Sequence, residues 1–274
     1  MSTPNDTSSP PPTTVNDPAS PPVDPIILAV DTSATRPGLA IRRGPELLAS
    51  LVSSRVEPHS RTLFDNLSLL LGEAQLAVGD VDIFAVVTGP GSFTGLRVGL
   101  AAMKGLAATR QRPLYGMDLL ELHARALGSA STVLVISEAG RGEIYCGLRR
   151  LTVDGAVRSL GKEHYGRPES SIPEIIRQLD QPLGAALLIT GDGVVRSHQV
   201  LAELALQAGT TLSGSVFTSP ASVGWQILQS SLAPALQLSL AVWQILQLDG
   251  STLPPICQPF YIRPSDAEIN WSIS

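Results

Sequence analysis

The chain has 274 residues, of which 43% are hydrophobic and 16% are charged, and its formal net charge is −5. This length is enough for two lobes with a sizeable core, and the hydrophobic content excludes a chain that is disordered throughout. The net acidic charge argues against a stand-alone nucleic-acid binder, because affinity for phosphate comes from clustered Lys and Arg. The two cysteines, Cys146 and Cys257, are too few for a disulfide framework and predict a reducing, cytoplasmic location.

Residues 1–25 form a tail with a composition of its own. It holds eight Pro, eight Ser or Thr and no Lys or Arg. Such a segment cannot bury enough apolar area to offset its ordering entropy, and it lacks the basic and apolar regions of a signal peptide. The composition predicts a disordered extension, with a proline-rich docking motif as the alternative.

Residues 26–128 have the pattern of half of an open α/β sheet. Apolar runs with β-branched residues predict short strands, and apolar side chains spaced three and four apart predict amphipathic helices. The predicted strands span 26–31, 39–42, 47–53 and 81–88, and the predicted helices span 60–74 and 95–109.

Residues 129–248 repeat a similar order, so two α/β lobes of related plan are expected, followed by a C-terminal tail at 249–274. The predicted strands span 132–136, 143–151 and 185–190, the predicted helices span 173–179 and 199–208, and a hairpin turn is expected at 153–156.

The stretch from Leu204 to Leu248 contains no charged residue, and within it the pentapeptide Trp-Gln-Ile-Leu-Gln occurs at 225–229 and again at 243–247. The spacing of 18 residues is five helical turns, so both copies are interpreted as a helical pair that is split by Pro234. Glutamines at 226, 229, 237, 244 and 247 argue against a transmembrane helix. A buried or partner-covered pair is expected, with a peripheral membrane or interaction role as the alternative.

Three short segments could carry chemistry. Asp31, Thr32 and Ser33 place an acid and hydroxyls at the end of a strand, where they could hold Mg²⁺ and phosphate or form an Asx-type turn. Gly191, Asp192 and Gly193 also follow a strand; they could approach a nucleoside, although a plain turn is the simpler interpretation.

The third segment is the glycine-rich loop around Gly89, Gly91 and Ser92, which joins a strand to a helix. Amides at a helix N-terminus favour an anion, but the loop matches neither the Walker nor the Rossmann glycine pattern. Phe93 in this loop is expected to pack against the next helix or a partner. The four histidines form no i, i+4 pair, so no metal site is predicted.

The loop sequence Gly-Pro-Gly-Ser-Phe-Thr-Gly-Leu-Arg at 89–97 resembles the bacterial TsaB proteins, also called YeaZ. Further segments resemble this family in order and spacing. They are Ile-Leu-Ala-Val-Asp-Thr-Ser at 27–33, His59-Ser60, the acid–Ala and Arg-Gly-Glu-Ile-Tyr segment at 138–145, and Pro-Phe-Tyr-Ile-Arg at 259–263.

The resemblance implies the duplicated two-lobe α/β fold of actin, Hsp70 and sugar kinases, with mixed sheets flanked by helices. It also implies a non-catalytic subunit in the synthesis of N6-threonylcarbamoyladenosine (t6A) on tRNA. Such a subunit pairs with the catalytic subunit TsaD, recruits the ATPase TsaE, meets tRNA through the complex and forms a homodimer when alone. No cofactor of its own and no membrane contact are implied, although ATP or ADP with Mg²⁺ could lie at the interface between subunits.

The expected partner interface lies on the two helices of the first lobe. The motivation is Phe93, Arg97 and the small residues of the helix that follows. The candidate interface residues are Leu63, Leu67, Leu70, Phe93, Leu96, Arg97, Gly99, Ala102, Met103 and Leu106, and the C-terminal candidates are Tyr261 and Arg263. An ATP-dependent kinase or a glycoprotease-like peptidase of the same fold is the alternative function.

Overall fold

The computed structural model describes residues 24–34, 37–53, 59–128, 130–179, 186–214, 224–228, 230 and 232–249. They form two sheets with helices between and around them. The strands are β1 Ile26–Asp31, β2 Gly38–Arg43, β3 Glu46–Val52, β4 Ile83–Gly89, β5 Leu114–Asp118, β6 Ser131–Gly140, β7 Glu143–Leu151, β8 Val157–Gly166, β9 Leu187–Thr190, β10 Leu212–Gly214 and β11 Trp225–Ile227. The helices are α1 His59–Glu73, α2 Phe93–Arg110, α3 Leu119–Arg125, α4 Pro168–Ile176, α5 Val194–Gln207 and α6 Pro234–Asp249, with a 3₁₀ turn at Val78–Asp80.

The two sheets share one topology. The first has the order β3-β2-β1-β4-β5 and the second β10-β11-β9-β6-β7-β8. In each sheet, the first three strands of the lobe pair antiparallel, and the later strands extend the sheet in parallel on the other side of the first strand. Strands β6, β7, β8, β9 and β11 therefore correspond, in this order, to β1, β2, β3, β4 and β5. This repeated order confirms the duplicated two-lobe fold of the actin, Hsp70 and sugar-kinase type.

Both faces of the first sheet are covered, which explains why its central strands are continuous apolar runs. Successive side chains of a strand point to opposite faces. Leu28 and Val30 of β1 therefore pack with α1 and α2, whereas Ile27 and Ala29 pack on the side of α6. Helix α6, which the sequence prediction placed with the second lobe, thus lies on the sheet of the first lobe.

Helix α3 joins the two lobes and was missed in the sequence, as were β5, β8 and β10. Leu119 and Leu122 pack against the first sheet, whereas Leu120 and Ala124 pack against the second. Seven residues are too few for a periodic pattern, and a helix that is apolar on two sides shows no amphipathic stripe.

The interpretation of the repeated pentapeptide as a helical pair was wrong. The first copy forms β11, in which Trp225 is buried and pairs with Leu187 of β9, whereas the second copy lies in α6. Pro234 is the first residue of α6, a position where its missing N–H costs nothing. Among the described helices, none is long and apolar enough to cross a bilayer.

Candidate functional site

The predicted site residues of the first lobe lie at one edge of the first sheet. Strands β1, β4 and β5 are parallel and end there at Asp31, Gly89 and Asp118. In open α/β sheets, ligands bind at the carboxyl ends of the strands. In the second sheet β6 and β9 are likewise parallel, and their pairing ends at Val135 and Thr190, so each lobe brings such an edge to the site.

The glycine-rich loop packs directly on the turn that follows β1. The amide of Ser92 donates to the carbonyl of Ser33 at 2.7 Å, and the Thr32 hydroxyl donates to the carbonyl of Gly95 at 2.8 Å. A Cβ on Gly91 would lie 2.4 Å from the Ser33 carbonyl oxygen, so only glycine allows this approach. The loop and the turn are therefore one packed unit.

Several amides and hydroxyls that could donate hydrogen bonds to an anion are engaged in this packing. The amide of Gly95 donates to the Ser92 hydroxyl at 3.2 Å, which caps α2, and the amide of Ser92 is already paired. The Ser33 amide and hydroxyl both donate to Oδ1 of Asp31, at 2.8 and 2.5 Å. The geometry is that of a structural junction, and a role for these residues in holding phosphate and Mg²⁺ stays a prediction.

Asp31 is the most unusual ionisable group of this junction. Its side chain is 1% exposed, and Oδ2 is buried without a hydrogen-bond partner. Burial raises the pKa of Asp31 to about 6, against the lowering effect of the hydrogen bonds from Ser33, and the charge of Asp192 raises it further. The carboxyl therefore gains a proton in the folded protein at a pH where the unfolded chain has lost it.

Asp31 gives a pH dependence of stability with a definite sign. Because the pKa in the folded protein, about 6, exceeds the unfolded value near 3.8, stability falls as pH rises between these values and then levels off. Asp31→Asn keeps an acceptor for Ser33 and cannot ionise, so its stability relative to the parent should rise by up to about 3 kcal/mol from pH 4 to pH 7. Urea denaturation across this range measures the difference; a constant difference would contradict the assignment.

The Gly191-Asp192-Gly193 turn lies against the end of β6 in the second lobe. The amide of Gly193 donates to the Ile136 carbonyl at 3.0 Å, and the amide of Glu138 donates to Oδ1 of Asp192 at 3.0 Å. Gly191 has a φ of +110°, and a Cβ there would lie 2.1 Å from the Ile136 carbonyl oxygen. The turn is thus held by backbone contacts within its own lobe, and a nucleoside role for it stays a prediction.

The edges of the two lobes nevertheless meet. The charge of Asp192 acts on Asp31 of the first lobe and raises the pKa of that carboxyl, although burial is the larger cause. His123 of α3 is buried, which lowers its pKa, and Asp192 acts on it in the opposite sense. Thr190, at the end of β9, adds a buried hydroxyl without a hydrogen-bond partner.

A buried ion-pair cluster, which the sequence did not reveal, ties the lobes together beside this edge. Arg149 of β7 is 4% exposed, and its guanidinium lies 3.1 Å from Asp118 at the end of β5 and 3.0 Å from Glu163 of β8. Arg149 also donates to the Ser159 hydroxyl at 3.1 Å. Because Asp118 and Arg149 belong to different lobes, no short sequence motif indicates this cluster.

Glu138, the acid at the start of the 138–145 segment, forms an ion pair with Arg196 of α5. Nε of Arg196 donates to the two carboxylate oxygens of Glu138 at 2.9 and 3.0 Å. This side chain is thus engaged at the surface of the second lobe. Within the described part of the chain, no three His, Cys, Asp or Glu side chains are placed to hold a metal ion.

Most of the predicted interface residues lie in the core of the first lobe, so that part of the prediction was wrong. Helix α1 turns all of its leucines except Leu69 inward to the sheet, and α2 does the same with its larger apolar side chains. The buried residues are Leu63, Leu67, Leu70, Leu96, Gly99 and Met103, and Ala102 and Leu106 are half-buried against the same core. The periodicity locates a buried stripe but does not distinguish a core from a partner.

The surface that these helices present is formed by other residues. On α1, Phe64 and Leu69 are 53% and 55% exposed. On α2, Thr94, Thr109 and Arg110 are exposed near the ends, and the exposed row along the middle, small at three of its five positions, is Arg97, Ala101, Lys104, Gly105 and Ala108. We call the residues of this row, with Phe64, Leu69 and Gly72, the α1–α2 face.

Phe93 and Arg97 stand at the start of this face. The Arg97 guanidinium lies 3.7 Å from the centroid of the Phe93 ring, a cation–π contact within one helical turn. Phe93 is therefore half-covered by its own helix. Tyr261 and Arg263, the predicted C-terminal motif, lie outside the described residues.

Gly99 and Gly105 of α2 provide a matched pair for testing the junction. A Cβ at Gly99 would lie 2.2 Å from the Thr32 hydroxyl oxygen, whereas a Cβ at Gly105 would meet no atom within 4 Å. Gly99→Ala is expected to lower the free energy of unfolding by about 1–3 kcal/mol through overpacking. Gly105→Ala is expected to raise it by up to about 1 kcal/mol, since alanine favours a helix. Urea denaturation measures both, and equal effects would contradict the packed junction.

A family model and a curated relative that match this chain are both named for the same tRNA modification. The family model for TsaD, a tRNA N6-adenosine threonylcarbamoyltransferase, matches residues 46–174. The Bacillus subtilis tRNA threonylcarbamoyladenosine biosynthesis protein TsaB is 32% identical over 123 residues, which are 44% of this chain and 54% of that protein. The chain thus spans about half the length of this curated relative.

Two solved structures extend the similarity over both lobes. A Pseudomonas aeruginosa protein described as similar to peptidase YeaZ superposes with a TM-score of 0.60 at 26% identity, covering 87% of this chain and 100% of that one. YeaZ from the same organism has a TM-score of 0.59 at 24% identity with the same coverage. The chain is thus similar to the TsaB and YeaZ proteins in about half of the Bacillus subtilis relative's sequence and, in these two structures, in the fold of both lobes.

Proposed function

We propose that this chain is a non-catalytic partner subunit for the synthesis of t6A on tRNA, and that it pairs with the catalytic subunit TsaD through the α1–α2 face. The relative TsaB is named for this biosynthesis, and the family model that matches residues 46–174 is that of the transferase itself. TsaE and tRNA then meet the chain through the assembled complex.

The α1–α2 face is the observation that carries the proposal. Phe64 and Leu69 expose more than half of their apolar side chains, and such patches mark interaction sites on soluble proteins. On α2, the exposed residues Ala101, Gly105 and Ala108 have small side chains or none, so a helix of a partner can approach closely.

The residues of the strand-end junction support a structural role. The Ser92 amide donates to the Ser33 carbonyl, and the Gly95 amide donates to the Ser92 hydroxyl. The Ser33 amide and hydroxyl both donate to Asp31. The buried Cys146 is no nucleophile, because burial raises the pKa of its thiol to about 12. We therefore assign the chemistry to the partner, and ATP or ADP with Mg²⁺ to the complex.

Reconstituted tRNA modification tests this function. TsaD, TsaE, tRNA and threonylcarbamoyl-AMP are incubated with and without the chain, and t6A is quantified by mass spectrometry of the nucleosides. We expect t6A only when the chain is present and none from the chain alone. Equal t6A without the chain would overturn the proposal. Hydrolysis of ATP or of peptides by the chain alone, at the rate of the complex, would instead favour the kinase or peptidase alternative.

A further inference from the structure

The exposed charges around the α1–α2 face are separated between its two helices. Helix α2 contains Arg97, Lys104 and Arg110 and no acidic residue, and all three cations are exposed. Among the described side chains of α1, the exposed charged ones are Asp65 and Glu73. The half of the surface on α2 is therefore cationic, and the half on α1 is anionic.

Two of the cations flank the small residues that allow a partner to approach. Successive residues of an α-helix are rotated by about 100°, so positions 97, 101, 104 and 108 fall within an arc of roughly 60°. Ala101 lies between Arg97 and Lys104 along this row, and Ala108 follows one turn later. Beside the row, a Cβ at Gly105 would meet no atom within 4 Å, so the space above α2 is open.

Arg97 is exposed but already ordered. Its guanidinium lies 3.7 Å from the centroid of the Phe93 ring, one turn earlier in the same helix. Because this contact restricts the side chain before a partner arrives, less conformational entropy is lost when Arg97 forms an ion pair. The planar guanidinium suits the two oxygens of a carboxylate, so an acidic side chain is the natural ligand at this position.

A helix that packs closely on Ala101 takes part of the water away from both cations. Arg97 and Lys104 can extend along the sides of such a helix, but their charged ends then need carboxylates or water. Removing a cation from water is costly unless an opposite charge replaces the lost hydration. The close approach that the small residues allow therefore requires acidic side chains on the partner.

We propose that the partner helix that packs along α2 carries carboxylates opposite Arg97 and Lys104, so that this face selects an acidic helix. The inference rests on the proposed function, because it describes the partner that the α1–α2 face receives. Helix α2 of a second copy does not fit, because its cations would lie against those of the first. Such complementary charges act mainly on the rate of association, which they raise by attraction over a distance.

Association kinetics of the full-length chain with purified TsaD test this inference. In stopped-flow experiments, the association rate constant should fall about tenfold between roughly 50 and 500 mM salt. Lys104→Glu should lower the rate at low salt by at least about fivefold. Lys162 on β8 is exposed and is the only other lysine of the chain, so Lys162→Glu is the matched control and should change the rate by less than about twofold.

Zero-length cross-linking gives a second, direct measurement on the unmodified complex. A carbodiimide joins a lysine amine to a carboxylate in contact with it as an amide. Peptide mass spectrometry of the treated complex should find Lys104 joined to an Asp or Glu of TsaD, and no such link from Lys162.

The outcomes distinguish this inference from the proposed function. If the complex forms but its association rate depends neither on salt nor on Lys104→Glu, the inference is overturned and the proposed function stands. A link from Lys104 to Asp65 or Glu73 of a second copy, with none to TsaD, would also overturn it and would assign the cations to self-association. If no complex with TsaD forms, the proposed function fails and this inference fails with it.

Discussion

Phe64→Glu on the α1–α2 face is expected to weaken binding of the chain to TsaD by at least about 30-fold. Phe64 is exposed in the isolated chain, and in the proposed complex it is an aromatic anchor. A carboxylate at this position would be buried without a partner charge, which costs about 2 kcal/mol or more. Titration calorimetry of the two purified subunits measures the change, and t6A formation should fall with it.

The control for this variant lies on the second lobe. Leu206 of α5 is 79% exposed, so Leu206→Glu makes the same change of chemistry away from the α1–α2 face. Both variants should keep the stability of the parent within about 0.5 kcal/mol, because neither residue is in the core. Equal affinity of parent and Phe64→Glu for TsaD would rule out this face as the interface.

Arg149→Met is expected to lower the free energy of unfolding by about 3–5 kcal/mol. The variant keeps the apolar stem but leaves Asp118 and Glu163 near each other without the cation between them. Burial already raises the pKa of Asp118 despite Arg149, so the loss of that charge should raise it further. Differential scanning calorimetry should show a fall in Tm of about 10 °C for a chain of this size.

Two comparisons separate the cluster from a general effect of losing an arginine. Arg177 pairs with Glu174 at the surface, with 69% and 52% of the side chains exposed, so Arg177→Met should change stability by less than about 1 kcal/mol. Adding Asp118→Asn and Glu163→Gln to Arg149→Met should restore part of the loss, because the uncompensated charges are gone. A similar loss in both arginine variants, or no recovery in the triple variant, would contradict the role of the cluster.

The sequence alone located the glycine-rich loop and the acid at the end of β1, because both depend on short local patterns. Periodicity also located α1 and α2 to within two residues at each end. It misassigned the function of their apolar stripes, since Leu63 and Met103 have the spacing of any buried face. Only the packing shows that the sheet of the same lobe covers them and that Phe64 and Leu69 point outward.

The pentapeptide Trp-Gln-Ile-Leu-Gln is a second case in which the local sequence does not determine the structure. At 225–227 it pairs with β9 and β10 as a strand, and at 243–247 it is helical. The intrinsic preferences of these residues are worth only a few tenths of a kcal/mol each, so hydrogen bonding to neighbouring strands decides. Composition could not have distinguished the two copies.

The sequence by itself determined that this chain folds as two related α/β lobes and that it carries a glycine-rich loop similar to that of the TsaB/YeaZ proteins. These features are local, because strand patterns and turn residues act within a few positions of the chain. The tertiary structure decided what joins the lobes, which helix faces remain exposed and how the loop is used. Arg149 meets Asp118 only when the two sheets pack together, and Ser33 meets Ser92 only when β1 pairs with β4. Such long-range contacts leave no characteristic spacing in the sequence.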